Sequence, residues 1–210
     1  MIELFVDCET TGFVHKDLPL THGKQPHLVQ LAMLLREDGE EVSRVSLVIK
    51  CPIEVPEAAR RVHGYTQERT LYLGVGLPHA LNLFLELCNP VDRIIAHNAE
   101  FERAILEIAL ARQSCFIPWG GDKARWFCTM QAAEPLCKIP ATPAQIRAGF
   151  KKPGEFKQPK LEEALKTLCC GIELKDAHDA LADVVGCAGL YDWLVANGHA
   201  GQPAGDGGAL

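Results

Sequence analysis

No run of apolar residues in this chain is long enough to span a bilayer, and no charged-then-apolar leader opens it. A membrane protein and a secreted one are therefore both unexpected. C-x-x-C spacing is absent as well. The nine cysteines, an odd number, sit largely in apolar contexts such as those of Cys88, Cys115 and Cys187. That argues against a disulfide framework or a zinc site and for reduced thiols in a cytoplasmic setting. The adjacent Cys169-Cys170 pair reads either as a redox element or as a buried turn. An excess of basic residues is also missing. The net charge is −6, the wrong sign for a general nucleic-acid binder, whose lysines and arginines supply most non-specific affinity. No internal repeat is visible.

What is present suits one globular domain: 210 residues, 48% of them apolar, can bury a sizeable core. Residues 1–196 carry periodic patterns. Residues 197–210 are rich in Gly and Ala with no apolar period, and read as a disordered tail.

The first pattern is the run Ile2, Leu4, Phe5, Val6, a buried strand, leading into DCETTG. Asp7 and Glu9, two apart on a strand, project to one face with Cα atoms roughly 6.5 to 7 Å apart. Anions held that close repel, and a divalent cation between them relieves the repulsion; hard oxygen ligands suit Mg²⁺ or Mn²⁺. The plainer reading is a strand-end turn in which both acids are solvated and Thr10, Thr11 and Gly12 make the bend. Phe13 follows, either a stacking surface for a base or an ordinary core aromatic.

Mid-chain, Arg93 to Ala96 reads as a buried strand that ends at His97-Asn98, before a helix beginning near Ala99. Phe101, Ile105, Ile108 and Ala109 give that helix its apolar face. Glu102 falls on the flank of this face in the first turn, where an acid by itself more often serves the helix dipole. Late in the chain, DAHDALADVVGCAGLYDWL places Leu181, Val184, Val185, Ala188, Tyr191 and Leu194 at helical spacing. Asp183 lies on this helix and His178 about a turn and a half earlier, so both can aim at one point. Asp176 or Asp179 could simply cap the helix, and a lone His is more often a packed or exposed residue.

Leu28 to Leu35 and Val42 to Ile49, separated by REDGE, read as antiparallel neighbours of the first strand. Helices are expected from about Ala58 and around Pro78 to Cys88. The stretch from Lys138 to Lys160 holds Lys138, Arg147, Lys151, Lys152, Lys157 and Lys160 against only Glu155, and reads as a mobile loop. Its Lys151 and Lys152 either guide a single strand or are ordinary surface lysines.

The ordered set DxETTG, HNxxF and HxAxxD (His178, Ala180, Asp183) resembles the DEDDh branch of the DnaQ-like 3′-to-5′ exonucleases over Met1 to Ala196. Gln30 in PHLVQLAML, the VHGYT turn, CTM at Cys128 to Met130 and KLEEAL from Lys160 agree, as packing cues. The resemblance implies an α/β, ribonuclease-H-like fold, a mixed five-stranded sheet flanked by helices. It also implies a metal-dependent nuclease that releases nucleoside 5′-monophosphates from the 3′ ends of single strands, DNA favoured over RNA. A DNA polymerase or other replication protein would be a natural partner. Two Mg²⁺ or Mn²⁺ ions would be held by Asp7, Glu9, Glu102 and Asp183, with Asp7 bridging them. His178 would act as general base, so activity should rise with pH through the ordinary histidine range near about 6.5. Thr10, Thr11, Gly12, Phe13 and Asn98 would contact substrate. One departure stands out: the family has Asp where this chain has Glu102, a register set by His97, Asn98 and Phe101. The extra methylene implies either a working site with altered metal preference or a weakened one in a protein that mainly binds nucleic acid.

Overall fold

The computed structural model describes residues 1–119, 125–171 and 178–200. Five strands form one sheet: β1 (Ile2–Thr10), β2 (Leu28–Glu37), β3 (Glu40–Val48), β4 (Arg93–Ala96) and β5 (Trp126–Cys128), in the order β3-β2-β1-β4-β5. β1–β2 and β2–β3 pair antiparallel, and β1–β4 and β4–β5 pair parallel. This is the mixed ribonuclease-H-like sheet that was expected, with two adjustments. Of the two antiparallel strands only β2 neighbours β1, β3 being the outer edge, and the three-residue β5 completes the opposite edge.

Side chains alternate along β1, and that alternation assigns the two helical layers. Leu4, Val6 and Cys8 face one core with Leu31, Met33 and Ile94. Over it lie α3 (Leu77–Cys88) and α4 (Ala99–Arg112), which bury Leu81, Phe84, Ile105 and Leu106. Phe5, Ala32, Leu34 and Ile95 face the other core, under α5 (Thr129–Cys137), α7 (Leu161–Leu168) and α8 (Ala180–Ala196). Each fully buried large side chain contributes roughly 1.5 to 3 kcal/mol. Tyr191 of α8 meets Phe5 and Phe127 edge-on, at 5.5 and 5.3 Å between centroids, and accepts a hydrogen bond from Arg93 at 3.0 Å. The buried face of α8 is wider than the spacing predicts: Cys187 and Leu190 are in the core while Val185 is 39% exposed, because the helix packs on both the sheet and α7.

Two short helices, α1 (Glu57–His63) and α2 (Gln67–Leu73), join β3 to α3. The expected helix from Ala58 is α1; α2 was not foreseen. The basic stretch 138–160 has more order than a mobile loop. It holds α6 (Pro143–Arg147), with Thr142 in a capping box, and an antiparallel bridge between Pro140 and Phe156. Residues 197–200, expected in a disordered tail, instead close α8. The Asn197 side chain donates to Trp193 O (2.8 Å), and the His199 ring stacks on Trp193. Residues 201–210 of that tail, and Asp176, lie outside the described residues.

Candidate active site

The β1–β4 ladder covers only Glu3 to Phe5, opposite Arg93 to Ile95. Asp7 and Glu9 therefore run past the carboxyl end of β4, where open α/β sheets place their sites. By the alternation of β1 they continue the Phe5 face, toward α8. β4 ends at Ala96 and is followed by His97, whose ring nitrogens contact Thr129 Oγ1 and Pro159 O at 3.0 Å each. Burial pushes the His97 imidazole down to about 4, against the Pro159 carbonyl. It is a neutral brace between β4, α5 and the basic stretch. Asn98 takes a left-handed conformation (φ +80°) and turns the chain into α4, its carbonyl accepting from Phe101 N–H and Glu102 N–H.

Glu102 does not stand on the flank of α4. It is 4% exposed and continues the buried stripe of Ile105, Leu106 and Ala109, whereas Phe101 turns toward the clefts beside the sheet end. One oxygen of Glu102, Oε2, is buried with no hydrogen-bond partner among the described residues. A dipole partner at a solvated helix end would not be placed so. Spacing carried a signal for this: residue 102 lies three, four and seven positions before 105, 106 and 109.

The third motif is held by Gln30, which lies opposite Glu9 on β2. Buried at 2% exposure, its amide donates to Asp179 Oδ1 (2.7 Å) and Ser46 Oγ (3.0 Å), and its carbonyl accepts from Ala180 N–H (3.2 Å). Asp179 caps α8 by accepting from Leu181 N–H (3.3 Å). Gln30, noted in the sequence only as a packing cue, thus docks the start of α8 onto β1's neighbour. His178 precedes the cap with φ +73°, and its N–H donates to Asp183 Oδ2 at 3.2 Å. Side-chain atoms of Glu9, His178 and Asp183 then lie within 4.8 Å of one another.

Electrostatics ties Asp7 and Glu102 to this triad. Burial first, then Glu102, Asp183 and Glu9, hold the Asp7 carboxyl well above the usual carboxylate range. Burial raises Glu9 to about 8, with Asp183 and Asp179 adding to it. Glu102 also rises to about 8 through burial, Cys8 beside it pulling the other way and Glu9 and Asp183 pushing up. Asp183 is raised by burial, against the His178 N–H. None of these four acids pairs with a Lys or Arg among the described residues. Clustered hard oxygens without a cation, one of them orphaned, form a donor set that fits divalent metal ions.

The other expected contacts divide. Thr10 Oγ1 donates to Gly12 O (2.7 Å), and Thr11 Oγ1 accepts from His27 N–H (2.9 Å), so both hydroxyls build the turn. Gly12 sits at φ +154°, outside the range side chains favour. Phe13 is 87% exposed, which removes the core reading. With Phe101 it lines two clefts: one of about 280 Å³ reaching Glu9 and His63, the other of about 490 Å³ lined also by Lys16, Asn98, Arg103 and Gln158. Neither cleft is lined by Lys151 or Lys152. Lys151 Nζ pairs with Glu134 on α5 at 2.8 Å, and Lys152 N–H donates to Glu155. Phe101 and His63 were not singled out in the sequence as site residues.

No protein-family model matches the chain, and no curated protein matches its sequence. Solved structures do match in fold. E. coli exonuclease I in complex with a dT13 oligonucleotide aligns at TM-score 0.67 and 18% identity, over 92% of this chain and 40% of that one. The same enzyme with a dA16 oligonucleotide aligns at 0.68 and 19%, over 93% and 41%. An exonuclease I from Methylocaldum szegediense aligns at 0.66 and 17%, over 92% and 40%. This chain shares their fold and spans about two fifths of their length.

Proposed function

We propose that this protein is a metal-dependent 3′-to-5′ exonuclease that hydrolyses the terminal phosphodiester bond of single-stranded DNA. The observation that carries the reading is the convergence of Glu9, His178 and Asp183 within 4.8 Å, beside Asp7 and the buried Glu102. The fold likeness to exonuclease I, two of whose structures hold dT13 and dA16, supports DNA over RNA.

Asp7, Glu9, Glu102 and Asp183 would hold two Mg²⁺ or Mn²⁺ ions. Such ions, when bound, make a water more nucleophilic and neutralise charge on the leaving oxygen. His178, exposed at the mouth of the cluster, accepts the proton of the attacking water. Asp183 fixes its backbone, and Gln30 fixes Asp183's helix. Phe13 and Phe101, which line both clefts, take successive bases by stacking, which tolerates any sequence. Asn98 and Gly12 bring backbone close to the sugar-phosphate chain. Lys152 carries the guiding role expected of the basic stretch, since Glu134 neutralises Lys151.

The test is an electrophoretic time course on 5′-labelled single-stranded DNA and RNA of one sequence, with Mg²⁺, Mn²⁺ or chelator. A ladder shortening from the 3′ end, metal-dependent and lost in Asp7→Ala, is the expected result; the faster polymer names the substrate. Intact binding without cleavage of either polymer would overturn the enzyme reading in favour of a binding scaffold.

A further inference from the structure

The acid cluster presents five carboxylates, Asp7, Glu9, Glu102, Asp179 and Asp183, to a substrate that is itself a polyanion. The VHGYT segment, which runs from the last residues of α1 to the cap of α2, answers this with a chain of contacts that leads away from the end of β1. His63 Nε2 lies 3.2 Å from Thr10 O, and His63 Nδ1 accepts from Tyr65 N–H at 3.1 Å. The two ring centroids are 5.7 Å apart, with the planes tilted by 35°. Burial and then the Asp179 charge raise the Tyr65 hydroxyl above its ordinary range, the Arg69 guanidinium pulls the other way, and Glu9 adds a smaller push upward. Over the Tyr65 ring, at 5.6 Å from its centroid, sits the guanidinium of Arg69. Arg69 belongs to α2, where its N–H donates to the Thr66 cap at 3.1 Å. Its side chain is exposed and forms no ion pair among the described residues.

We propose that Arg69, held on the Tyr65 face at the rim of the acid cluster, is a substrate-binding residue that takes a backbone phosphate of the incoming strand. The inference rests on the nuclease reading above. A guanidinium matches phosphate oxygens in a bidentate fork, and stacking on an aromatic ring pre-organises it, so little side-chain freedom is lost on binding. Tyr65 acts through Arg69 as a positioning residue. Together they supply a fixed positive charge where the carboxylates would otherwise repel the strand, and they do so without pairing to those carboxylates. The remaining wall of the 280 Å³ cleft, Pro56, Ala58, Ala59 and Val62, is apolar and offers a base no charge.

Wild type, Arg69→Met and Arg69→Lys can be compared in two ways. One is cleavage of 5′-labelled single-stranded DNA with Mg²⁺ across a salt series; the other is anisotropy of a fluorescein-labelled oligothymidylate in EDTA across the same series. Arg69→Met should raise both KM and Kd about fivefold or more. It should also lower the slope of log Kd against log salt by about 0.7, the share of one single-strand phosphate. Arg69→Lys should restore the slope and part of the affinity. A merely structural role would leave the slope unmoved. An Arg69→Met protein with wild-type Kd and slope overturns the proposal, as does a wild type that binds no oligothymidylate. A wild type that binds with the predicted slope change in Arg69→Met, yet cleaves neither DNA nor RNA, upholds the phosphate contact and overturns the hydrolase.

Discussion

Between about pH 4.5 and pH 8 the metal-free chain has to ionise carboxyls that its fold keeps protonated, so its stability should fall across that window. Glu9 moves from 4.5, the ordinary carboxyl value, to about 8 in the folded chain. Anywhere between those values the folded state holds more protons than the unfolded state. Rising pH then favours unfolding: the contribution is whole below about 4.5 and gone above about 8. At about 1.36 kcal/mol for each tenfold change, the difference amounts to roughly 5 kcal/mol. Water in the open cleft screens this to about 2 to 5 kcal/mol. Glu102 lies as high but shares protons with the same cluster, so its contribution is not added. On the proposed reading a divalent cation should reverse the trend by binding the folded, ionised cluster. At a concentration 100 times its Kd it adds about 2.7 kcal/mol. In a chain of this size that raises Tm by roughly 5 to 11 °C. Scanning fluorimetry at several pH values, in EDTA or in millimolar Mg²⁺ or Mn²⁺, reads both effects. Glu9→Gln, uncharged at every pH, should exceed the wild-type Tm in EDTA at alkaline pH and lose most of the cation shift. A Tm in EDTA that is flat with pH, or a Glu9→Gln protein that keeps the full cation shift, would refute the reasoning.

Phe13→Ala should leave Tm within about 2 °C, because the ring is 87% exposed, yet raise KM roughly 5- to 100-fold through lost base stacking; a large fall in Tm with KM unchanged would return Phe13 to the core. Gln30→Leu strips Asp179 and Ala180 of their buried partner and should cost about 1 to 3 kcal/mol, with kcat falling more than KM rises; equal, small effects on both in a protein of wild-type Tm would remove Gln30 as the anchor of α8. Glu102→Asp shortens the arm by one methylene and should cost about 1 kcal/mol by thermal unfolding. Its Mn²⁺-to-Mg²⁺ activity ratio should change about fivefold or more; an unchanged ratio would place this carboxylate away from the metals.

Period and order made much of this readable in advance. The alternation of Leu4, Val6 and Cys8 with Phe5, Asp7 and Glu9 puts both acids on one face whatever the partners, because strand side chains repeat every two residues. His178 and Asp183 flank a helix start, and local geometry alone brings them near one another. Helical spacing misassigned the start of α4. Phe101 took the place in the apolar stripe that Glu102 occupies, since hydrophobicity was weighted above register, and a buried acid only becomes sensible once other acids are seen around it. The tail and the basic stretch were judged by composition, which does not register a capping box at Thr142 or the stacking of His199 on Trp193.

By itself the sequence determined the four longer strands and most of the longer helices, the face of β1 that bears acid, and which acids are candidates to meet a metal, because these depend on periodicities a few residues long. Only the tertiary structure decided that Gln30, 149 residues before Asp179, would dock α8 beside Glu9. It also decided that Glu102 would be buried with an orphaned oxygen, that Phe13 would stand in solvent along two clefts, and that the Arg69 guanidinium would lie over the Tyr65 ring. Each of these depends on which surfaces the sheet order brings together, and contacts between distant segments leave no period in the chain.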